Sequence, residues 1–143
     1  MKISRLLDRK GSYVATVRPN SSIIDAVREL ANRSVGALVV SDDGQSIAGI
    51  VSERDVVRAV SQFGAAILDS PVRMIMSDDV YSCQPDDLVD SLMSTMTDRR
   101  IRHIPVVSEG VLAGIVSIGD VVKTCLDELE HDREALEQYI TAR

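Results

Sequence analysis

Aromatic residues are scarce in this sequence: its 143 residues include one Phe, three Tyr and no Trp. Single-stranded nucleic acids are bound largely by stacking of bases on aromatic side chains, so we do not expect a platform of that kind. Positive charge is also in deficit, since 16 Lys and Arg against 22 Asp and Glu give a formal net charge of −6. This balance argues against binding to nucleic acid and to anionic membranes.

Long apolar runs are missing as well. No run approaches the roughly 20 apolar residues of a membrane-spanning helix, and the first residues lead into no signal-peptide core. We therefore expect a cytoplasmic protein without membrane contact. The two cysteines, Cys83 and Cys125, are 42 residues apart and form no CxxC pair, which predicts reduced thiols that fill apolar space.

Patterns that would indicate an enzyme are absent from the sequence. It contains no Gly-rich phosphate loop of the P-loop or Rossmann type and no GxSxG motif. The two histidines, His103 and His131, are 28 residues apart and belong to no HExxH or Cys-His cluster. The sequence therefore predicts no catalytic residues, no metal site and no catalytic cofactor.

What the sequence does contain is an internal repeat. The segment 48–58 reads AGIVSERDVVR and the segment 113–123 reads AGIVSIGDVVK, with eight of eleven positions identical. Here the offset is 65, whereas earlier in each half it is 66, so that Pro19 matches Pro85. The one-residue difference falls at the hairpin turns, which tolerate changes in length. The chain is therefore two copies of a unit of about 60 residues.

Each unit shows the same order of predicted elements, β-α-β-β-α. In the first unit Ser21 or Ser22 caps a helix, three strands are predicted at 14–17, 36–40 and 47–51, and a last helix at 53–63. One such unit is too small to bury its sheet alone. The sequence therefore predicts an α/β (α+β) fold in which two units pack about a pseudo-twofold axis.

Three segments are predicted along the chain: 1–66, an N-terminal helix and the first repeat; 67–125, a linker helix and the second repeat; and 126–143, a charged C-terminal helix. In the last segment an apolar stripe recurs at spacings of 3, 7 and 4, formed by Leu126, Leu129, Leu136 and Ile140. Two interpretations of this stripe remain open. It packs against the protein's own core, or it contacts a second copy of the chain.

The repeated motif Gly-Ile-Val-Ser-x-x-Asp combines Ser and Asp where a strand gives way to a helix. These residues are Ser52 and Asp55 in the first repeat and Ser117 and Asp120 in the second. One interpretation is a capping box, although its usual third-position residue is Glu or Gln, and Asp is shorter. The other is a nucleoside-phosphate site, because helix N-termini attract phosphate and carboxylates accept hydrogen bonds from ribose hydroxyls.

The sequence resembles a tandem pair of CBS domains, the Bateman module, and is similar to small stand-alone proteins that contain one such pair. The resemblance rests on both Gly-Ile-Val-Ser-x-x-Asp segments and on Arg-His-Ile-Pro-Val at 102–106, and it extends from Leu6 to Lys123. It implies two clefts that bind adenosine-containing ligands. AMP is the first expectation, and ADP, ATP, NAD and S-adenosylmethionine are the others. It also implies a homodimer in the form of a flat disc.

The resemblance assigns roles to individual residues. Asp55 and Asp120 would hold ribose hydroxyls, and Ser52 and Ser117 would contact ribose or phosphate. Thr16 and Ser82, which precede the matched Pro19 and Pro85, would contact the ligand. The base would be bordered by Leu38, Val39, Ile104 and Pro105.

The two halves differ in their basic residues. Arg102 and His103 occupy positions where some family members bind phosphate, and the first repeat has Gly36 and Ala37 there. The first repeat instead carries Arg54 inside its motif. The alternative interpretation of Arg54 is a solvated or salt-bridged surface residue, and that of His103 is a partly buried hydrogen-bonding residue. We expect two usable sites, of which the second is the stronger.

The resemblance implies a regulatory, non-catalytic protein that senses an adenosine nucleotide. The alternative is a protein-interaction module that regulates a partner enzyme without any nucleotide. A nucleic-acid-binding module is disfavoured by the acidic balance.

Overall fold

The structure, a computed structural model, describes residues 1–142. It opens with helix α1 (Ile3–Lys10). The first repeat then consists of β1 (Thr16–Val17), α2 (Ile23–Arg33), β2 (Ala37–Val40), β3 (Gly49–Ser52) and α3 (Glu53–Phe63). Two short 3₁₀ turns, Ala65–Asp69 and Val72–Met74, form the linker. The second repeat follows with α4 (Val89–Arg99), β4 (His103–Ser108), β5 (Val111–Ser117) and α5 (Ile118–Thr141).

The two repeats build the same small sheet. In the first, β1 pairs with β2 in parallel and β2 pairs with β3 antiparallel, with Val17 opposite Val40. In the second, β4 and β5 form the antiparallel pair, and the first strand is reduced to one parallel bridge between Cys83 and Val106. The pairings Val17–Val40 and Cys83–Val106 are related by the repeat offset of 66. The predicted α/β fold of two related units is therefore confirmed.

Local sequence signals explain where the helices begin and end. Ser22, one of the two serines expected to cap α2, accepts a hydrogen bond from the Asp25 N–H. The helices that follow the repeated motif both begin with a serine cap. Gly64 ends α3 with a φ of 80°, a conformation that glycine adopts without a steric penalty.

The segment before each repeat packs on the other repeat. Helix α1 inserts Ile3, Leu6 and Leu7 into the core of the second repeat. The linker inserts Val72 into the core of the first repeat. Because each small core is completed by a segment from outside its own repeat, the two units stabilise one another.

Two glycines of the repeated motif permit this exchange. A Cβ at Gly114 would lie 2.8 Å from the Leu7 Cδ2, and a Cβ at Gly49 would lie 2.7 Å from the Met76 Sδ. Only a residue without a side chain leaves room for such close approach. The glycines are therefore part of the packing between the repeats and the segments that precede them.

The C-terminal segment differs from the expectation in one respect. No break separates it from the second repeat, because α5 runs without interruption for 24 residues. Its predicted apolar stripe is 60–65 % exposed, so the interpretation that the stripe packs against the protein's own core is wrong. Residue 143, the last of the predicted tail segment, lies outside the described residues.

Candidate functional site

A cleft of about 560 Å³ opens between the two repeats. Its walls combine the end of α1 and the start of the first repeat with the β4–β5 hairpin and the start of α5. The first wall contains Lys10, Tyr13, Ala15 and residues 32–37, and the second contains His103, Ile115, Ser117 and Asp120. Chain segments more than 60 residues apart in sequence thus form one concave surface.

The start of α5 presents a capping box to this cleft. Ser117 Oγ accepts a hydrogen bond from the Asp120 N–H at 3.2 Å, and Asp120 Oδ2 accepts one from the Ser117 N–H at 2.9 Å. The shorter side chain of aspartate therefore reaches the cap position, and the capping-box interpretation is confirmed. Among residues 1–142, Asp120 Oδ1 has no hydrogen-bond partner, which leaves half of the carboxylate for another donor.

Lys10 connects α1 to this carboxylate. Its Nζ lies 2.5 Å from Asp120 Oδ2 and 2.6 Å from the Ile115 carbonyl oxygen. Partial burial by itself would raise the pKa of Asp120, but the hydrogen bonds from Lys10 and Ser117 outweigh it and lower that pKa. Asp120 is consequently a carboxylate at neutral pH and a hydrogen-bond acceptor.

His103 forms the floor of the cleft next to Gly36. A Cβ at Gly36 would lie 3.2 Å from both the Cε1 and the Nε2 of the imidazole. Burial, assisted by the charge of Lys10, lowers the pKa of His103, so the ring is neutral at pH 7. A neutral imidazole has one nitrogen that donates and one that accepts, and it does not repel a cation.

An aromatic–cation pair forms the rim. The guanidinium carbon of Arg33 lies 5.0 Å from the ring centroid of Tyr13, and Arg33 Nε donates to Glu29 Oε2 at 2.8 Å. The second repeat contains a similar pair, with Arg99 over Tyr81 at 4.7 Å. The two arginines are related by the repeat offset of 66, whereas the two tyrosines are 68 residues apart, so only the arginine position is repeated.

The first repeat has the same cap without the lysine. Asp55 Oδ2 accepts hydrogen bonds from the Ser52 N–H at 2.9 Å and from the Ser52 Oγ–H at 3.0 Å. The carbonyl of Ile50, which corresponds to Ile115, accepts its hydrogen bond from the Ser77 N–H at 2.9 Å. The neutral Ser77 N–H thus donates to the carbonyl in the first repeat, where the positively charged Lys10 donates in the second. The two motifs therefore differ in charge.

Of the residues predicted to bind a ligand, the structure brings three together. His103, Ser117 and Asp120 line the cleft described above. Thr16 lies elsewhere, in a separate polar depression of about 470 Å³ that also contains Asp25.

Four predicted residues are in the core. Leu38, Val39 and Ile104 have no exposed surface, and Pro105 is also buried. Both edges of β2 are taken by neighbouring strands, so its backbone groups are occupied as well. None of the four lines the cleft described above, and their predicted place beside a base stays a prediction.

Three further predicted residues are at the surface, whereas Ser52 and Asp55 are half-buried in the cap of α3. Arg54, Arg102 and Ser82 are exposed, and neither arginine forms a salt bridge within the described part of the chain. Ser82 adjoins the bridge residue Cys83 rather than the cleft described here. Their predicted contact with phosphate or ribose stays a prediction.

Sequence reasoning missed three residues of the cleft. No local signal points to Lys10, because its partner Asp120 is 110 residues away. Arg33 did carry a signal, since an Arg recurs at the equivalent position 99 of the second half, whereas Tyr13 has no equivalent at the offset of 66. A search of the repeat for paired polar positions, rather than for apolar ones alone, would have found Arg33.

The groups that would indicate metal or thiol chemistry are not assembled. Within residues 1–142 no cluster of three or more His, Cys, Asp or Glu side chains has the geometry to hold a metal ion. Burial raises the pKa of the Cys83 thiol to about 12, which disfavours the reactive thiolate. Among the same residues, no helix is both long and apolar enough to cross a bilayer.

Comparison with known proteins identifies the two repeats. The family model described as "CBS domain" matches twice, at residues 11–62 and 72–127. The structure is similar to that of a CBS-domain-containing protein from Agrobacterium tumefaciens, with a TM-score of 0.84 and 47% sequence identity over 87% of this chain and 98% of that one.

Two further relatives bear on this assignment. A CBS domain protein from Pyrobaculum aerophilum, solved in complex with AMP, is 31% identical with a TM-score of 0.75, over 84% of this chain and 89% of that one. A mitochondrial CBS domain-containing protein of Arabidopsis thaliana is 38% identical over 125 residues, which are 85% of this chain and 61% of the plant protein's length. The two matched repeats and their shared architecture show that the chain belongs to the CBS-domain family, as a tandem pair of the regulatory type.

Proposed function

We propose that this CBS pair senses an adenosine nucleotide, with AMP as the first candidate, in the cleft between its two repeats. The observation that carries the proposal is the arrangement at Asp120. One carboxylate oxygen is held by the cap and by Lys10, and the other has no hydrogen-bond partner among residues 1–142. A carboxylate fixed in this way is prepared to accept hydrogen bonds from the two hydroxyls of a ribose.

The other groups in the cleft suit the remaining parts of such a ligand. Lys10 and the N-terminus of α5 supply the positive potential that a phosphate needs. Tyr13 is 67 % exposed and offers aromatic surface for a purine. The volume of about 560 Å³ lies within the range of ordinary small-molecule sites.

AMP is preferred over larger adenosine ligands because the Pyrobaculum aerophilum relative was solved with AMP. ADP, ATP, NAD and S-adenosylmethionine remain competitors, since all of them contain an adenosine ribose. The proposed protein has no catalytic step and no catalytic cofactor. We also propose that it is cytoplasmic and acts as a homodimer, to which the exposed Val57 and Phe63 of α3 would contribute apolar surface.

A ligand in this cleft would be able to signal because three parts of the chain meet there. The end of α1, the first repeat and the second repeat each contribute wall residues. A nucleotide that contacts all three stabilises one relative arrangement over others, and its effect equals its difference in affinity between them. A partner enzyme could then respond to that arrangement.

Calorimetric titration with AMP of matched aspartate variants tests the proposal. Asp120→Asn keeps an oxygen for the cap but removes the charge, and hydrogen bonds to a charged group contribute about 1.5–3 kcal/mol. We therefore expect AMP binding to weaken roughly tenfold to a hundredfold. Asp55→Asn, the equivalent change in the first repeat, controls for loss of a cap and is expected to weaken this site much less. Unchanged AMP affinity in the Asp120 variant would rule out the proposed site.

The alternative, an interaction module that needs no nucleotide, predicts a different result. A ligand that binds only the native state raises its stability, so nucleotides at millimolar concentration must raise the Tm of a sensor. If AMP, ADP, ATP, NAD and S-adenosylmethionine all leave the Tm unchanged, the alternative is favoured. The exposed apolar faces of α3 and α5 are the feature that would support it.

A further inference from the structure

From its second turn to its end, α5 carries an exposed apolar stripe that nothing among residues 1–142 covers. Its apolar members are between 45 % and 65 % exposed: Val122, Leu126, Leu129, Leu136 and Ile140. Exposed apolar side chains arranged contiguously along a helix mark an interaction surface. The proposed nucleotide site uses only the first turn of this helix, so the stripe requires a separate explanation.

The stripe follows a heptad pattern. Its spacings alternate between 4 and 3 from Val122 to Ile140 when Arg133 is included. A helix with such a repeat presents one seam to a partner helix, with a and d positions forming the contact. Leu126, Arg133 and Ile140 take the a positions, and the d positions are Val122, Leu129 and Leu136.

The side of α5 that faces the protein body is a different one. Val121 and Thr124 are buried against the second repeat, whereas Val122 and Leu126 beside them are exposed. One residue along a helix corresponds to a rotation of about 100°. The stripe therefore remains accessible to a second helix while α5 stays packed on its own repeat.

We propose that the stripe pairs with the same stripe of a second copy of this chain, as an antiparallel two-helix coiled coil. The partner is another copy because the seam is self-complementary in one orientation only, and Arg133 determines that orientation. In a parallel, in-register pair, two Arg133 side chains would face each other at an a position. Asp132 at g would also lie beside the partner's Glu137 at e.

The antiparallel orientation removes both conflicts. In this arrangement an a residue faces a d residue of the other helix. Leu126 faces the partner's Leu136, and Arg133 faces the partner's Leu129. Val122 faces the partner's Ile140 in the same register. All apolar members of the stripe are covered, and the arrangement has the twofold symmetry usual for homodimers.

The charges beside the seam agree with this register. Lys123 lies at an e position opposite the partner's Glu137, which gives an attractive pair at each end of the contact. Arg133 is already neutralised in its own helix, by an ion pair with Glu130 and a 3.9 Å contact of its Nε with Glu137 Oε1. The two arginines near the centre of the pair offset the acidic residues that the symmetry brings together there.

Disulfide capture between two proteins that each carry one exposed cysteine tests both the pairing and its orientation. One protein carries Leu126→Cys and the other Leu136→Cys, each in a Cys125→Ser background and with different tags; Cys83 is buried and remains. Because both leucines are exposed, neither substitution threatens folding. The two proteins are mixed without nucleotide and oxidised under mild conditions, so the outcome is independent of the proposed ligand site.

The proposal expects a disulfide between the two different proteins, and a loss of that product when Leu129→Asp is added to both. If disulfides form only between two copies of the same variant, either Leu126→Cys or Leu136→Cys, the helices pair in parallel and the proposed orientation is overturned. Absence of any disulfide above the level of an exposed control, Asp127→Cys, would overturn the pairing itself.

Discussion

Lys10 and Asp120 form an ion pair with 2.5 Å between Nζ and Oδ2, which joins the last residue of α1 to the first turn of α5. The same lysine donates to the carbonyl of Ile115. A residue that precedes the first repeat therefore completes the polar site of the second. The pair also distinguishes the two repeated motifs, because Asp55 has no salt bridge among the described residues.

Removal of this ion pair is expected to destabilise the protein measurably. The side chains of Lys10 and Asp120 are 30 % and 25 % exposed, so solvent screens them less than a surface pair. We expect Lys10→Met to lower the free energy of unfolding by about 1 kcal/mol, as measured by urea denaturation at low salt. Lys2→Met is the matched control, because Lys2 and Asp86 are 3.8 Å apart and largely exposed.

The control should change the free energy of unfolding by no more than about 0.5 kcal/mol. Equal losses in the two lysine variants would show that the Lys10 contact contributes no more than a solvated surface pair. High salt should reduce the effect of Lys10→Met only in part.

The buried imidazole of His103 predicts a loss of stability on acidification. Burial, followed by the charge of Lys10, lowers the pKa of His103 in the folded protein. As the pH falls below the ordinary histidine value of about 6.5, the unfolded chain therefore binds a proton that the folded chain resists. Stability contributed by the neutral ring is present above that pH and is lost as the pH falls towards the folded pKa.

This effect is measured as the difference between the wild type and His103→Gln. Urea denaturation at several pH values from 7.5 to 5 should show the wild type losing more stability than the variant. Parallel pH profiles for the two proteins would contradict a lowered pKa. The comparison cancels the titration of groups that both proteins share.

The two motif glycines are expected to differ in their tolerance of a methyl group. At Gly49 a Cβ would lie 2.7 Å from the Ser77 carbonyl oxygen, which is fixed because Ser77 and Ile50 exchange two backbone hydrogen bonds. At Gly114 it would lie 2.8 Å from Leu7 Cδ2, the end of a flexible side chain. Overpacking costs about 1–3 kcal/mol, and we expect Gly49→Ala near the upper end and Gly114→Ala near the lower.

Second-site variants test the physical reason. In a Leu7→Ala background, Gly114→Ala should destabilise the protein less than it does in the wild type, because the contacting methyl groups are gone. Met76→Ala should not rescue Gly49→Ala, because the backbone carbonyl remains. Equal rescue at both sites would show that side-chain contacts alone determine how well Gly49 and Gly114 tolerate a methyl group.

Much of the fold was predictable because the repeat states each element twice. The same strand, turn and helix signals occur in both halves. Helix α3 begins and ends at the residues expected. The first strand of the second repeat, expected from the shared element order, is reduced to one bridge at Cys83, because sequence patterns do not show how many residues reach hydrogen-bonding distance of a neighbouring strand. The second repeat was predicted to end at residue 125, but α5 continues past this residue because nothing in the local sequence interrupts the helix.

The candidate site was predictable only where the repeated motif forms it. Ser117 and Asp120 belong to the motif, and His103 follows from the family resemblance. Ile104 was expected beside the base because of its place in a matching segment, and the structure shows only that its side chain is buried, so that expectation stays a prediction. Which side of a strand faces the cleft depends on how the sheets pack.

The sequence alone determined that this chain is two related units and that each unit places a serine and an aspartate where a strand ends and a helix begins. Those features follow from local rules, namely side-chain periodicity, capping and turn formation. The tertiary structure alone decided that α1 crosses to the second repeat, that Lys10 meets Asp120, and that the stripe on α5 stays exposed. Each of these features depends on contacts between segments that are distant in sequence, and local sequence patterns do not specify such contacts.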